Sequence, residues 1–197
     1  MEQLILKHYS DEHRLSLLIR HGDRDAIPDG SFGNEVLLNE KGKQNAKSFG
    51  ESLSERKLNK IFTSPVGRCI QTAEFITKGY GSPVEIIETT ALGAPGLHIA
   101  DEKIAGEYYL QHGGLKMYGH FMQGVKIPGV PKIEGIRNSL TNFLSENTND
   151  NGLTLFVSHD MLIAFYHFSI NKKVYTKDNW INYMTGLTFI NGRIYER

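Results

Sequence analysis

Residues 15–19, Leu-Ser-Leu-Leu-Ile, form a short and nearly continuous apolar run that halts at Arg20-His21-Gly22. A run this short, without polar alternation, is what a strand buried on both faces of a parallel sheet requires. The pattern recurs at residues 60–63, 84–87 and 153–157. Between these runs lie stretches with helical spacing. Behind Asn39, a capping residue type, Ala46, Phe49, Gly50 and Leu53 recur at i, i+3, i+4 and i+7. Ser64-Pro65 reads as the N-cap and first residue of a second helix, which carries Cys69, Thr72, Ala73 and Ile76 on one face. Pro131 opens a third, with Ile133, Ile136, Leu140, Phe143 and Leu144 on one side. Asn191-Gly192 between residues 186–190 and 193–195 predicts a hairpin with a type I′ turn.

Strands alternating with helices predict a three-layer α/β/α sandwich whose central sheet is mostly parallel, with an antiparallel edge at the C-terminal hairpin. The length of 197 residues suits one domain spanning 1–197, with a weakly periodic, Gly-, His- and Tyr-rich variable segment at about 89–130. Ligands of such sheets bind beyond the carboxyl ends of the strands. Three predicted strands deliver polar residues there: Arg20 and His21, then Ser64 to Arg68, then His159 and Asp160.

Charge narrows the partners. Lys plus Arg and Asp plus Glu both number 22, so no bulk excess recruits nucleic acid or an anionic membrane, and any anion site is local. The single Cys69 excludes an intrachain disulfide and a multi-cysteine zinc site. Leu4, Ile5 and Leu6 before Lys7 fall short of a signal-peptide core, and a cytoplasmic location is the expectation. The sequence does not speak to oligomeric state.

Two histidines, three arginines and a carboxylate brought to one sheet edge suit phosphoryl transfer. Guanidinium groups match phosphate oxygens bidentately and neutralise charge on the equatorial oxygens during in-line displacement, a task otherwise given to a metal ion. We therefore expect no metal and no cofactor, and a small phosphorylated substrate. His98, His112 and His120 fit no helical zinc spacing and are expected at the surface or lining the substrate pocket. Tyr108, Tyr109, Tyr118 and Phe121 either cap the substrate or pack. Trp180 and Tyr183 are expected in the core, and Asp23 and Asp25 either tune the arginines or face water.

The chain resembles the histidine phosphatase superfamily, the group with the phosphoglycerate mutase-like fold that includes phosphoglycerate mutases, acid phosphatases and phytases. The resemblance rests on Leu18-Ile19-Arg20-His21-Gly22, on residues 38–46, on Thr63-Ser64-Pro65 with Arg68, Gln71, Thr72 and Ala73, and on Val157-Ser158-His159, in that order. It implies His21 as nucleophile through a phosphohistidine, Arg20 and Arg68 as phosphate clamps, and His159 as the second histidine on the phosphoryl group. The mutase-like branch carries a general-acid Glu shortly after the third strand, where this chain has Ala94, and Glu88 is nearby but out of register. Arg20-His21-Gly22-Asp23-Arg24 and the His159-Asp160 pair are instead similar to the acid phosphatase branch. That likeness implies Asp160 as proton donor, Arg24 as a further phosphate ligand and better turnover at mildly acidic pH, with Glu88 as the alternative donor. The expected activity is metal-independent phosphomonoester hydrolysis. A mutase-like phosphotransferase and a noncatalytic phosphate-ligand sensor are the alternatives.

Overall fold

The computed structural model describes residues 10–28 and 30–195. The N-terminal stretch weighed above as a leader lies outside the described residues.

Among the described residues six strands form one sheet in the order β3-β2-β4-β1-β5-β6. β1 (Arg14–Arg20), β2 (Leu58–Thr63), β3 (Glu85–Glu88) and β4 (Gly152–Ser158) run parallel. β5 (Gly186–Ile190) and β6 (Arg193–Tyr195) add the antiparallel edge. Asn191 and Gly192 at the tip both have positive φ, 50° and 76°, as the type I′ turn demands.

Side chains alternate across the sheet and build two cores. Leu15, Leu17, Ile19 and β4 residues Leu153, Leu155 and Val157 face α1 (Glu40–Glu51) and α2 (Gly67–Tyr80). Leu18, Phe62 and Phe156 face the other layer, where α5 (Ile133–Asn147) and α6 (Asp160–Asn171) pack with α3 (Glu102–His112) and α4 (Gly114–Met122). This is a three-layer α/β/α sandwich. The segment read as weakly periodic thus contains a 3₁₀ turn at Thr90–Leu92 and the two helices α3 and α4. α3 was hidden because it buries only Ala105, leaving little apolar stripe to detect, and α4, which buries Met117, Tyr118 and Phe121, is only nine residues long.

α1 and α2 meet backbone to backbone. A Cβ on Gly50 would run into the Ile76 carbonyl, and one on Gly79 into that of Lys47. Asn39 caps α1 as expected, its Oδ1 accepting from Gly42 N at 2.9 Å. α2 differs: it starts at Gly67 with Val66 as the cap residue, and Ser64 is drawn into the site instead. Among the described residues no helix is long and apolar enough to cross a membrane.

Candidate active site

Strand register brings the site together. β4 lies between β1 and β2, with Arg20 level with Ser158 and Thr63 level with Val157. The ladder continues one step beyond the strands, as His21 N donates to Ser158 O and Ser64 N to Val157 O, both at 3.0 Å. Three consecutive strand ends therefore present His21, His159 and Ser64 side by side. The His21 and His159 rings lie edge to face with centroids 5.5 Å apart.

Donor chemistry fixes both tautomers. Arginine can only donate, so the 3.0 Å contact from Arg68 Nε makes His21 Nε2 an acceptor, and the proton sits on Nδ1, which donates to Gly22 O at 2.8 Å. By the same reasoning Arg68 Nη2 assigns the lone pair of His159 to Nδ1, leaving Nε2–H to donate to Ser64 Oγ at 2.9 Å. Burial, the other histidine and Arg68 hold the His21 imidazole well below its usual pKa, so it is neutral. Burial and Arg68 depress His159 in the same direction. Cys69 also lies beside His159 Nε2, at 3.5 Å, but burial pushes its thiol up to about 12 and leaves it protonated and inert.

Arg20 is buried and held from three sides. Nη1 donates to Ile181 O at 2.6 Å, Nη2 pairs with Asp160 Oδ2 at 2.8 Å, and the guanidinium carbon sits 4.0 Å from the centre of the Tyr183 ring. Trp180 Nε1 donates to the same Oδ2 at 3.0 Å, and Met161 N donates to Asp160 Oδ1. Arg68 Nη1 reaches Gly33 O at 2.5 Å. Arg24 lines the same cavity, with Nη1 bonded to Asp25 O. The Nε–H groups of Arg20 and Arg24 are buried without a hydrogen-bond partner, an arrangement that an anion of suitable shape would relieve.

Of the sequence-predicted residues, His21, Arg24, Arg68, His159 and Asp160 line one cavity, with Arg20 bound to Asp160 behind it. Glu88 is exposed at the end of β3 and outside that lining, whereas Ala94 is part of it. Trp180 and Tyr183 are half-buried: Trp180 packs against the core, Tyr183 belongs to neither core, and the two support Asp160, Arg20 and His21. No periodicity marks the loop that carries them, and an indole N–H or a phenol ring gives no local signal of the side chain it will touch. Asp23 and Asp25 turn away from the arginines. Burial raises the Asp23 carboxyl, but hydrogen bonds from Lys41 and Asn45 outweigh this and hold it below its usual value, and Asp25 accepts from Asn39 Nδ2. His98 and His112 line the cavity, and Tyr109 with them, while Tyr118 and Phe121 are core. Among the described residues no three His, Cys, Asp or Glu side chains converge as a metal-binding group.

Comparison with known proteins bears on this arrangement. A family model described as the histidine phosphatase superfamily (branch 1) matches residues 16–94. The match takes in His21, Arg20, Arg24 and Arg68 and stops short of His159 and Asp160. No curated protein sequence matches the chain significantly. Among solved structures, a phosphoserine phosphatase mutant from Entamoeba histolytica in complex with phosphoserine is 19% identical, covering 92% of this chain and 93% of its own, with a TM-score of 0.58. A phosphoglycerate mutase from Bacillus anthracis is 16% identical over 95% and 93%, with a TM-score of 0.56. A mycobacterial glucosyl-3-phosphoglycerate phosphatase is 17% identical over 90% and 89%, also at 0.56. At these identities the likeness establishes a phosphoglycerate mutase-like fold.

Proposed function

We propose that this chain, which matches the histidine phosphatase superfamily model over residues 16–94, hydrolyses a phosphomonoester through a phosphohistidine formed on Nε2 of His21. The observation that carries the reading is the tautomer of His21: Gly22 O holds the proton on Nδ1, and the lone pair of Nε2 is directed at an arginine.

Substrate phosphate takes the place of the histidine as the partner of Arg68, and the released Nε2 attacks phosphorus in line. Arg20, Arg24, Arg68 and His159 hold the nonbridging oxygens as charge builds on them. The bond from phosphorus to the ester oxygen breaks as Asp160, which takes up a proton when the anionic phosphate binds and draws Arg20 from it, protonates the departing alcohol. Water then enters from the vacated side and gives its proton to Asp160, and the bond from phosphorus to Nε2 breaks to release phosphate. The depressed His21 imidazole stays neutral in mild acid, so turnover there does not sacrifice the nucleophile.

The test is a metal-free assay with paired alkyl and aryl phosphates on wild type, His21→Ala and Asp160→Asn. His21→Ala abolishes turnover and the acid-labile, base-stable phosphoenzyme. Asp160→Asn slows alkyl esters by about a hundredfold or more and aryl esters, whose leaving groups need no proton, far less. Full activity of His21→Ala sinks the mechanism. A phosphoenzyme that persists until a second alcohol is supplied assigns the chain to mutase-like transfer, and no phosphoenzyme with tight phosphate binding assigns it to sensing.

A further inference from the structure

One cavity holds the phosphate site and extends well beyond it. It encloses about 870 Å³ and runs from His21 and Asp160 out between the loop around Phe32 and helices α3 and α4. That volume accommodates a drug-sized molecule, several times the bulk of a three-carbon leaving group. Its wall is apolar and sulfur-rich: Met117 is buried, and Ile99, Met161 and Trp180 are half-buried around it. At the mouth Phe32, Leu110 and Leu115 are each 45–46% exposed. Singly, exposed apolar residues mean little, but three large ones on one rim form a patch. Phe32 and Tyr109 face each other there with centroids 5.6 Å apart and planes inclined by 30°.

The distribution of charge points the same way. Outside the phosphate-binding set, the charged residues of the lining are Glu102, Lys103, Glu107 and Lys116. All four are exposed and their signs cancel. A carboxylate or ammonium on the leaving group would lose its water inside the cavity and find no buried counterion. His98, the buried histidine of the wall, is held neutral by its burial.

Resting on the reading of this site as a phosphomonoesterase, we propose that its substrates are monophosphate esters of an uncharged, apolar alcohol at least as large as a single ring. Phosphoamino acids and phosphorylated sugar acids are then poor substrates. The loop carrying Phe32 is tied to the catalytic end, because Gly33 O accepts from Arg68 Nη1. An apolar group seated against Phe32 therefore bears on the loop that helps position the phosphate clamp.

The experiment compares ethyl phosphate, 2-phenylethyl phosphate and phosphoserine as substrates, together with calorimetric binding of ethylphosphonate, 2-phenylethylphosphonate and 2-carboxyethylphosphonate. Ethanol and 2-phenylethanol are of similar basicity, so the difference in kcat/KM between their esters reports the pocket and not the chemistry. Burial of one ring predicts a preference of about tenfold or more for the phenylethyl compound in both assays. The double variant Phe32→Ser, Leu115→Ser, altered only at exposed positions, narrows that preference. Equal affinity for ethyl and phenylethyl phosphonates, or tightest binding of the carboxyethyl compound, overturns the proposal. If the phenylethyl phosphonate binds tightest while no ester is hydrolysed, the pocket assignment stands and the phosphatase reading fails.

Discussion

Arg68 Nε donates to Nε2 of His21 across 3.0 Å, so the lone pair proposed as nucleophile is occupied by the residue proposed to hold the phosphate. The same guanidinium also reaches His159 Nδ1 and Gly33 O. A lysine carries the charge but cannot reproduce this planar three-way fork. Arg68→Lys is expected to lower kcat/KM by about a hundredfold or more, with phosphoenzyme formation slowed in proportion in rapid-quench measurements. A loss below about threefold would show that charge alone suffices.

In the proposed mechanism Trp180 acts as a positioning residue, since its indole N–H donates to Oδ2 of Asp160. Trp180→Phe keeps most of the ring and removes the donor. We expect kcat for alkyl phosphates to fall by about tenfold, KM to change little and aryl phosphates to be nearly unaffected. An equal fall for both ester classes would place the role of Trp180 in binding or packing.

Acid should unfold this protein through its buried histidines. His98 is 8% exposed, its Nδ1 has no hydrogen-bond partner, and burial holds its imidazole down at about 4. Because the folded value lies below the unfolded value of about 6.5, the unfolded chain binds the proton first. Stability is full above about pH 6.5 and declines as pH falls towards 4, by roughly 3 kcal/mol from His98 alone. His21 and His159 add to the slope in the same direction. Urea titrations of wild type and His98→Leu between pH 7 and pH 4.5 read this, and the variant should lose part of the slope. Parallel slopes would remove His98 from the account.

Gly50 is placed by backbone contact, since a methyl group there would collide with Ile76 O. In an exposed helix Gly→Ala stabilises, by up to about 1 kcal/mol. Here Gly50→Ala is expected to destabilise by about 2 kcal/mol, because α1 and α2 must separate. Chemical denaturation measures it, and a stabilised variant would contradict the close approach.

The sheet and much of the candidate site were legible in the sequence because both depend on local pattern. Buried parallel strands announce themselves as apolar runs, and a strand end followed by Arg20-His21 or His159-Asp160 is a contiguous signal. What stayed hidden depends on contacts between distant residues. Tyr183 lies 163 positions from its partner Arg20 and Trp180 lies 20 from Asp160, and both were expected in the core. Ser64 looked like a helix cap because its hydroxyl suits that role, yet His159 competes for it more effectively. The cavity is illegible for a related reason: α3, which lines it, buries only Ala105, so periodicity finds little there.

The place of β4 between β1 and β2 bears on how the protein comes into being. β1 and β2 are not neighbours in the sheet, and the strand that joins them is the last of the parallel set to leave the ribosome. Until residues 152–158 insert, His21 and Arg68 belong to separate half-sheets, and the bond between Ser64 and His159 has no second partner. Such non-local pairing is slow to form and exposes apolar strand edges while it is pending. Nascent chains that stop before β4 are therefore expected to be catalytically silent and prone to aggregate, and activity on synthesis should emerge as a single late event.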